Sequence, residues 1–149
     1  MKRPYLTIIR GLPGMGKSTR ARKYAEDSGA LLVEPDMLLT NLGEYVYDSK
    51  RWDIATFHAK RLVFEAARCC CDLVYADVLP RRSDVEAIIR HYNLYLPENL
   101  SAIVNVIEMG PIDAVLSFQR NKHSVKQIDI EKMALEWEPW DTYTEEEDT

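Results

Sequence analysis

Residues 11–18, Gly-Leu-Pro-Gly-Met-Gly-Lys-Ser, set two glycines, a lysine and a hydroxyl side chain at the spacing G-x-x-x-x-G-K-[ST]. Each fixed residue type has a task in holding phosphate. Gly14 and Gly16 let the backbone turn its N–H groups inward around phosphate oxygens, which residues with a Cβ resist. Lys17 can reach the β and γ phosphates, and the Ser18 hydroxyl is a ligand for Mg²⁺. The stretch Leu12, Pro13, Gly14, Met15, Gly16, Lys17, Ser18 and Thr19 is therefore expected to wrap the phosphates of ATP. A loop of this kind holds a nucleotide without saying what is done with it.

Two acids and one basic segment bear on that question. Asp77 ends the apolar run "LVYA" and is placed to hold Mg²⁺, directly or through water; a plain strand-end cap is the alternative. Asp36, in "EPDML", suits a general base that takes the proton of an attacking hydroxyl, although Pro35-Asp36 also reads as a simple turn. "FQRNKHSVKQI" gathers Arg120, Lys122, His123 and Lys126. It reads either as a lid closing over the phosphates or as a solvated helix–helix turn. Asn121-Lys122-His123-Ser124 begins like the guanine-reading motif Asn-Lys-x-Asp but lacks its final acid, so a guanine switch is not supported.

Alternating elements must position these groups. "YLTIIRG" reads as a buried strand entering the loop, and residues 17–28 as the helix leaving it, stopped by Gly29. Further strands are expected at 30–36, 72–78 and 102–108. A long helix is expected over 52–71, with Ile54, Phe57, Leu62, Phe64, Ala66 and Ala67 as its apolar positions. A helix capped by Ser83 should last to about Asn93, and two more should flank "KHSVKQI". Strands alternating with helices predict a three-layer α/β fold: a parallel sheet flanked by helices, with a small helical lid and a site at the carboxyl ends of the strands.

The chain has 149 residues, 46% hydrophobic and 29% charged, as expected of one compact domain. The net charge of −5 argues against a protein that coats long nucleic acid, although gripping one nucleotide or one strand end remains open. The domain is expected over residues 1–138. Residues 139–149 end in "TEEEDT", four acids without a base, and are expected to form a disordered tail. No apolar run is long enough to cross a bilayer, and "YLTII" leads straight into the loop, so a cleaved leader is not expected. An intracellular, cytoplasmic protein without an obligate protein partner follows. Cys69-Cys70-Cys71 cannot converge on one metal from a helix and are expected as small buried residues.

These residues together resemble the small P-loop kinases that include the kinase domains of polynucleotide kinases and the zeta-toxin-like kinases. The resemblance covers roughly residues 5–138. It rests on "GLPGMGKST", the acid ending the second strand, "GEYVYD" (43–48), the Asp after the third strand, and "QRNKH" followed by "IEKMALEWE". It implies transfer of the γ-phosphate of ATP to a hydroxyl, often the 5′-hydroxyl of DNA or RNA. Asp36 would then be the base, Lys17 and Ser18 would take the loop roles, and Arg120 would stabilise the transferred phosphate.

The departures concern the acceptor. Val78-Leu79-Pro80 follows the third-strand Asp where Asn or Thr is usual. Leu39 stands where phage polynucleotide kinases carry an arginine, and Ser124 and Lys126 replace a Gly and a Pro of the lid. Tyr47, Arg81, Arg82 and His123 are the candidate acceptor contacts. Tyr45 and Trp52 can stack on a base or simply pack, and His58 and His91 read as packing or surface residues. A hydroxymethylated base in DNA, or a free nucleoside or other small hydroxyl compound, stays open as acceptor. A non-catalytic nucleotide-dependent binding module is the alternative of another class.

Overall fold

The computed structural model describes residues 2–41, 44, 45, 49–121 and 125–140, with backbone alone at 40, 41, 44 and 45. Strand β1 (Tyr5–Gly11) runs into the glycine-rich loop, and α1 (Lys17–Ser28) leaves it. Gly29 ends α1 at φ 75, its N–H bonded to the Ala25 carbonyl at 2.8 Å. Then come β2 (Leu31–Val33), a 3-10 turn at Pro35–Leu39, and a short antiparallel pair, β3 (Thr40–Asn41) with β4 (Glu44–Tyr45). Next are α2 (Ser49–Arg68), β5 (Leu73–Asp77) and α3 (Arg82–Leu94). The described chain closes with β6 (Ile103–Met109), α4 (Ala114–Arg120) and α5 (Gln127–Glu136).

The main sheet is parallel throughout, in the order β2-β5-β1-β6. β1 is covered on both faces, which explains its nearly unbroken apolar run. One face packs Leu6, Ile8, Tyr75 and Val106 against Ala59, Val63, Ala66 and Ala67 of α2 and Val85 and Tyr92 of α3. The opposite face packs Ile9, Val74 and Ala76 against Ala21 of α1. Among the described residues, no helix is long and apolar enough to cross a membrane.

Three local expectations are corrected. Ala66 and Ala67 of α2 meet the sheet as expected, but they are joined by Ala55, Ala59 and Val63, whereas Ile54 and Phe57 are 58% and 69% exposed and Leu62 faces outward. Small side chains at i, i+4 and i+8 let the helix lie close to the sheet, and the bulkier residues are rotated off that stripe. Ser83 is not the cap of α3, which begins at Arg82; Asp84 accepts the Arg81 N–H at 3.0 Å. Cys69 and Cys71 are exposed and Cys70 is half-buried, because α2 ends at Arg68 and the chain turns outward before β5.

Candidate active site

The loop is held at close quarters. A Cβ on Gly11 would lie 2.7 Å from the Met109 carbonyl, so only glycine lets β1 pass β6 here. Gly14 and Gly16 adopt φ 75 and φ 87, the left-handed backbone that favours glycine. Leu12, Pro13 and Met15 turn inward and are buried. Gly16 precedes α1 with no side chain capping it, and the first turn of α1 carries no acid. The amino end of α1 thus presents uncapped N–H groups and the positive end of its dipole to a phosphate.

Lys17, first residue of α1, is 8% exposed and folds back so that Nζ donates to the Leu12 carbonyl at 3.1 Å. Ser18 is half-buried and Thr19 exposed beside it. Burial lowers the Lys17 pKa, against the attraction of Asp77, Asp36 and Glu34. Burial, reinforced by the charge of Asp36, pushes the Asp77 carboxyl up to about 7, while the Val78 N–H (2.8 Å) and Lys17 act in the other direction. Burial also drives up the Tyr75 hydroxyl, with Asp77 and Asp36 adding to it. The fold therefore brings Lys17, Asp36 and Asp77, far apart in sequence, within electrostatic reach of one another.

These groups suit a hard divalent cation. Ser18 and Asp77 offer oxygen ligands, and a buried carboxyl held near 7 beside a second acid is one whose charge a cation would relieve. Among the described residues no three His, Cys, Asp or Glu side chains gather as a metal cage.

The other sequence candidates fall in different places. Arg120 ends α4 with an exposed side chain, and its backbone lies where a Cβ on Gly14 would stand, 2.7 Å from its carbonyl carbon. Asn121 Nδ2 donates to the Val125 carbonyl at 2.8 Å, closing the turn between α4 and α5. Arg81 pairs with Glu136 at 3.2 Å. Arg82 lies 5.4 Å over the Trp140 ring, and its N–H donates to Glu138 at 3.0 Å. Leu39 is 2% exposed, a core residue. His58 is on the surface, and His91 Nε2 lies 3.1 Å from the Lys60 carbonyl. Tyr47, Lys122, His123 and Ser124 lie outside the described residues, as does 141–149. The packed chain runs on past residue 138, since Trp140 joins the core cluster.

Two buried charges escaped the sequence reading. Glu34, 8% exposed, directly follows β2, two residues before Asp36, and faces Arg22 at 3.9 Å. Arg10, fully buried at the end of β1, bonds the Leu79 carbonyl and Glu108. The available signal was a lone charge within each apolar strand pattern.

A glycine-rich loop thus joins an inner strand of a parallel sheet to a helix, with its lysine within electrostatic reach of an acid at the end of the neighbouring strand. A family model described as an AAA domain matches residues 6–77, the segment from β1 through that acid. This is a P-loop NTPase fold. Solved structures with the same P-loop fold include a chain of the Pnkp1/Rnl/Hen1 RNA repair complex, 19% identical with a TM-score of 0.70. The similarity covers 99% of this chain but 47% of that one, so the present chain spans about half its length. A gluconokinase from Sinorhizobium meliloti 1021 is 17% identical, with a TM-score of 0.57 over 93% of this chain and 78% of its own. A sugar kinase from Janibacter sp. HTCC2649 is 12% identical, with a TM-score of 0.60 over 93% and 80%. Two of these neighbours are kinases by name, and at such identities the likeness is one of fold. No curated protein matches the sequence.

Proposed function

We propose that the protein is an ATP- and Mg²⁺-dependent kinase that transfers the γ-phosphoryl group to a hydroxyl acceptor. The observation that carries this reading is the placement of Asp36 and Asp77 in electrostatic reach of the buried Lys17 at the mouth of the loop. A nucleotide-binding module needs the loop and one metal-holding acid. The second acid is of the type that takes the proton of an incoming hydroxyl.

The loop N–H groups and the amino end of α1 hold the β and γ phosphates, and Lys17 balances their charge. Ser18 and Asp77 would hold Mg²⁺, which when bound neutralises phosphate charge. Asp36 accepts the acceptor's hydroxyl proton as the new O–P bond forms and the bond to ADP breaks. Arg120, at the end of a helix docked on the loop, supplies positive charge to the phosphoryl oxygens in flight.

For the acceptor we favour the 5′-hydroxyl of a nucleic acid end, supported by the sequence resemblance to polynucleotide kinases and by the fold shared with a chain of an RNA repair complex. A second reading, a small neutral hydroxyl compound, is favoured by the pairing of Arg81 with Glu136, which an acceptor phosphate would have to displace.

The test offers γ-labelled ATP and Mg²⁺ with 5′-hydroxyl oligonucleotides, hydroxymethyl-base DNA, free nucleosides and sugars. Label on one acceptor, lost on Asp36→Asn, is the expected result and names the class. ATP binding without transfer to any of them would favour the binding module.

A further inference from the structure

Arg10 stands at the end of an inner strand, fully buried, where a parallel sheet ordinarily keeps an apolar side chain. Its register partners are Asp77 on β5 and Glu108 on β6, so the three side chains project from one face of the sheet. The guanidinium does not pair with Asp77. It sends Nε and Nη2 to the Leu79 carbonyl at 2.9 and 2.6 Å and Nη1 to Glu108 at 2.7 Å, with the Trp137 ring 4.2 Å away across its face.

The carbonyl it grips belongs to a strained turn. Leu79 has φ 51, a left-handed conformation unfavourable for a leucine and held only where surroundings enforce it. The same turn carries the Val78 N–H that bonds the Asp77 carboxylate. The chain after α5 holds the assembly from the other side: Glu138 N–H donates to the Pro80 carbonyl at 2.7 Å, and Trp140 N–H to Glu108 at 2.6 Å. A buried guanidinium is costly to desolvate, and here its partners are a planar fork's worth of acceptors that a lysine could not satisfy together.

We propose that Arg10 is a positioning residue for Asp77: by clamping the Leu79 carbonyl it fixes the turn 78–80, and through Val78 it sets the orientation in which the Asp77 carboxylate meets a metal–nucleotide. Glu108 and Trp137 keep the guanidinium aimed at that carbonyl. The inference rests on the reading of Asp77 as a Mg²⁺-holding group.

The test measures ATP binding to the whole chain by calorimetry, without acceptor, once with Mg²⁺ and once with EDTA. Wild type, Arg10→Lys and Glu108→Gln are compared, and a thermal melt establishes that each is folded. Wild type should bind ATP more tightly with Mg²⁺. Arg10→Lys should lose about tenfold or more of that gain, as removal of an outer-sphere partner does, with affinity in EDTA unchanged. Glu108→Gln, the milder change, should lose a smaller part of the same gain and serves if Arg10→Lys does not fold. Equal weakening in Mg²⁺ and in EDTA would make Arg10 a lock on the fold alone and overturn the proposal. A wild type that gains nothing from Mg²⁺ would instead remove the metal role of Asp77 itself.

Discussion

The Ser117 hydroxyl, on α4, donates to the Pro13 carbonyl of the phosphate loop at 2.6 Å, and Ser117 is fully buried. One bond thus joins the helix that ends in Arg120 to the loop that would hold the phosphates. The backbone of Arg120 rests against Gly14, so α4 and the loop form one unit.

Ser117→Ala should expose what that bond is worth. The Pro13 carbonyl would lose its buried partner, at a cost of about 1–3 kcal/mol. Urea unfolding should show that loss and an ATP titration should show weaker binding. Unchanged values in both would mean that α4 docks without it.

Gly14→Ala and Gly29→Ala separate backbone strain from contact. Both glycines sit at φ 75, but a Cβ on Gly14 meets the Arg120 backbone at 2.7 Å, whereas one on Gly29 meets nothing within 4 Å. Gly29→Ala should cost about 1–2 kcal/mol for the left-handed backbone and leave ATP affinity intact. Gly14→Ala should cost more and weaken ATP binding, because the loop must move off α4. Equal effects on affinity would contradict the contact.

The acid pushed up to about 7 predicts a pH dependence of the nucleotide-free protein. Asp77 ionises near 3.8 in the unfolded chain and near 7 in the folded one, so the unfolded state releases its proton first. Stability should therefore fall as pH rises from about 4 to about 7, by up to roughly 1.4 kcal/mol per pH unit from this group. Asp77→Asn should flatten that decline and be the more stable protein at pH 8. Denaturant midpoints across the range provide the check; a variant that follows the wild-type curve would show that the carboxyl is not held up by its surroundings.

The face of α2 makes a prediction opposite to the one its apolar residues suggest. Phe57→Ser, at an exposed site, should change stability by no more than about 0.5 kcal/mol. Ala59→Leu, at a fully buried site against the sheet, should cost about 1–3 kcal/mol by overpacking. Chemical denaturation of the two variants measures both; a Phe57→Ser loss larger than that of Ala59→Leu would restore the other face as the core.

Much of the architecture was legible because it depends on local physics. The loop pattern, the stop of α1 at Gly29 and the four parallel strands follow from backbone freedom, helix termination and apolar runs; β1, β5 and β6 stand within a residue of where the sequence placed them, whereas β2 is only Leu31–Val33 rather than 30–36, and Asp36 lies in the 3-10 turn after it. The facing of α2 was legible only at its end, where Ala66 and Ala67 do pack on the sheet; alanines carry little apolar signal, so Ala55 and Ala59 of the same stripe were passed over. Arg10 and Glu34 were passed over for a related reason. A charge inside a strand announces that it must be paired, but not with what.

By itself, then, the sequence determined a glycine-rich loop of the phosphate-cradle pattern on a parallel α/β sheet, because the pattern sits between an apolar strand and a helix start. Only the tertiary structure decided which groups the cradle faces. β5 lies next to β1 although α1, β2 and α2 separate them in the chain, and this adjacency brings Asp77 towards Lys17 and sets Arg10 beneath the turn that follows. Strand order is the outcome of burying every apolar face at once, a global condition that no local pattern of residues contains.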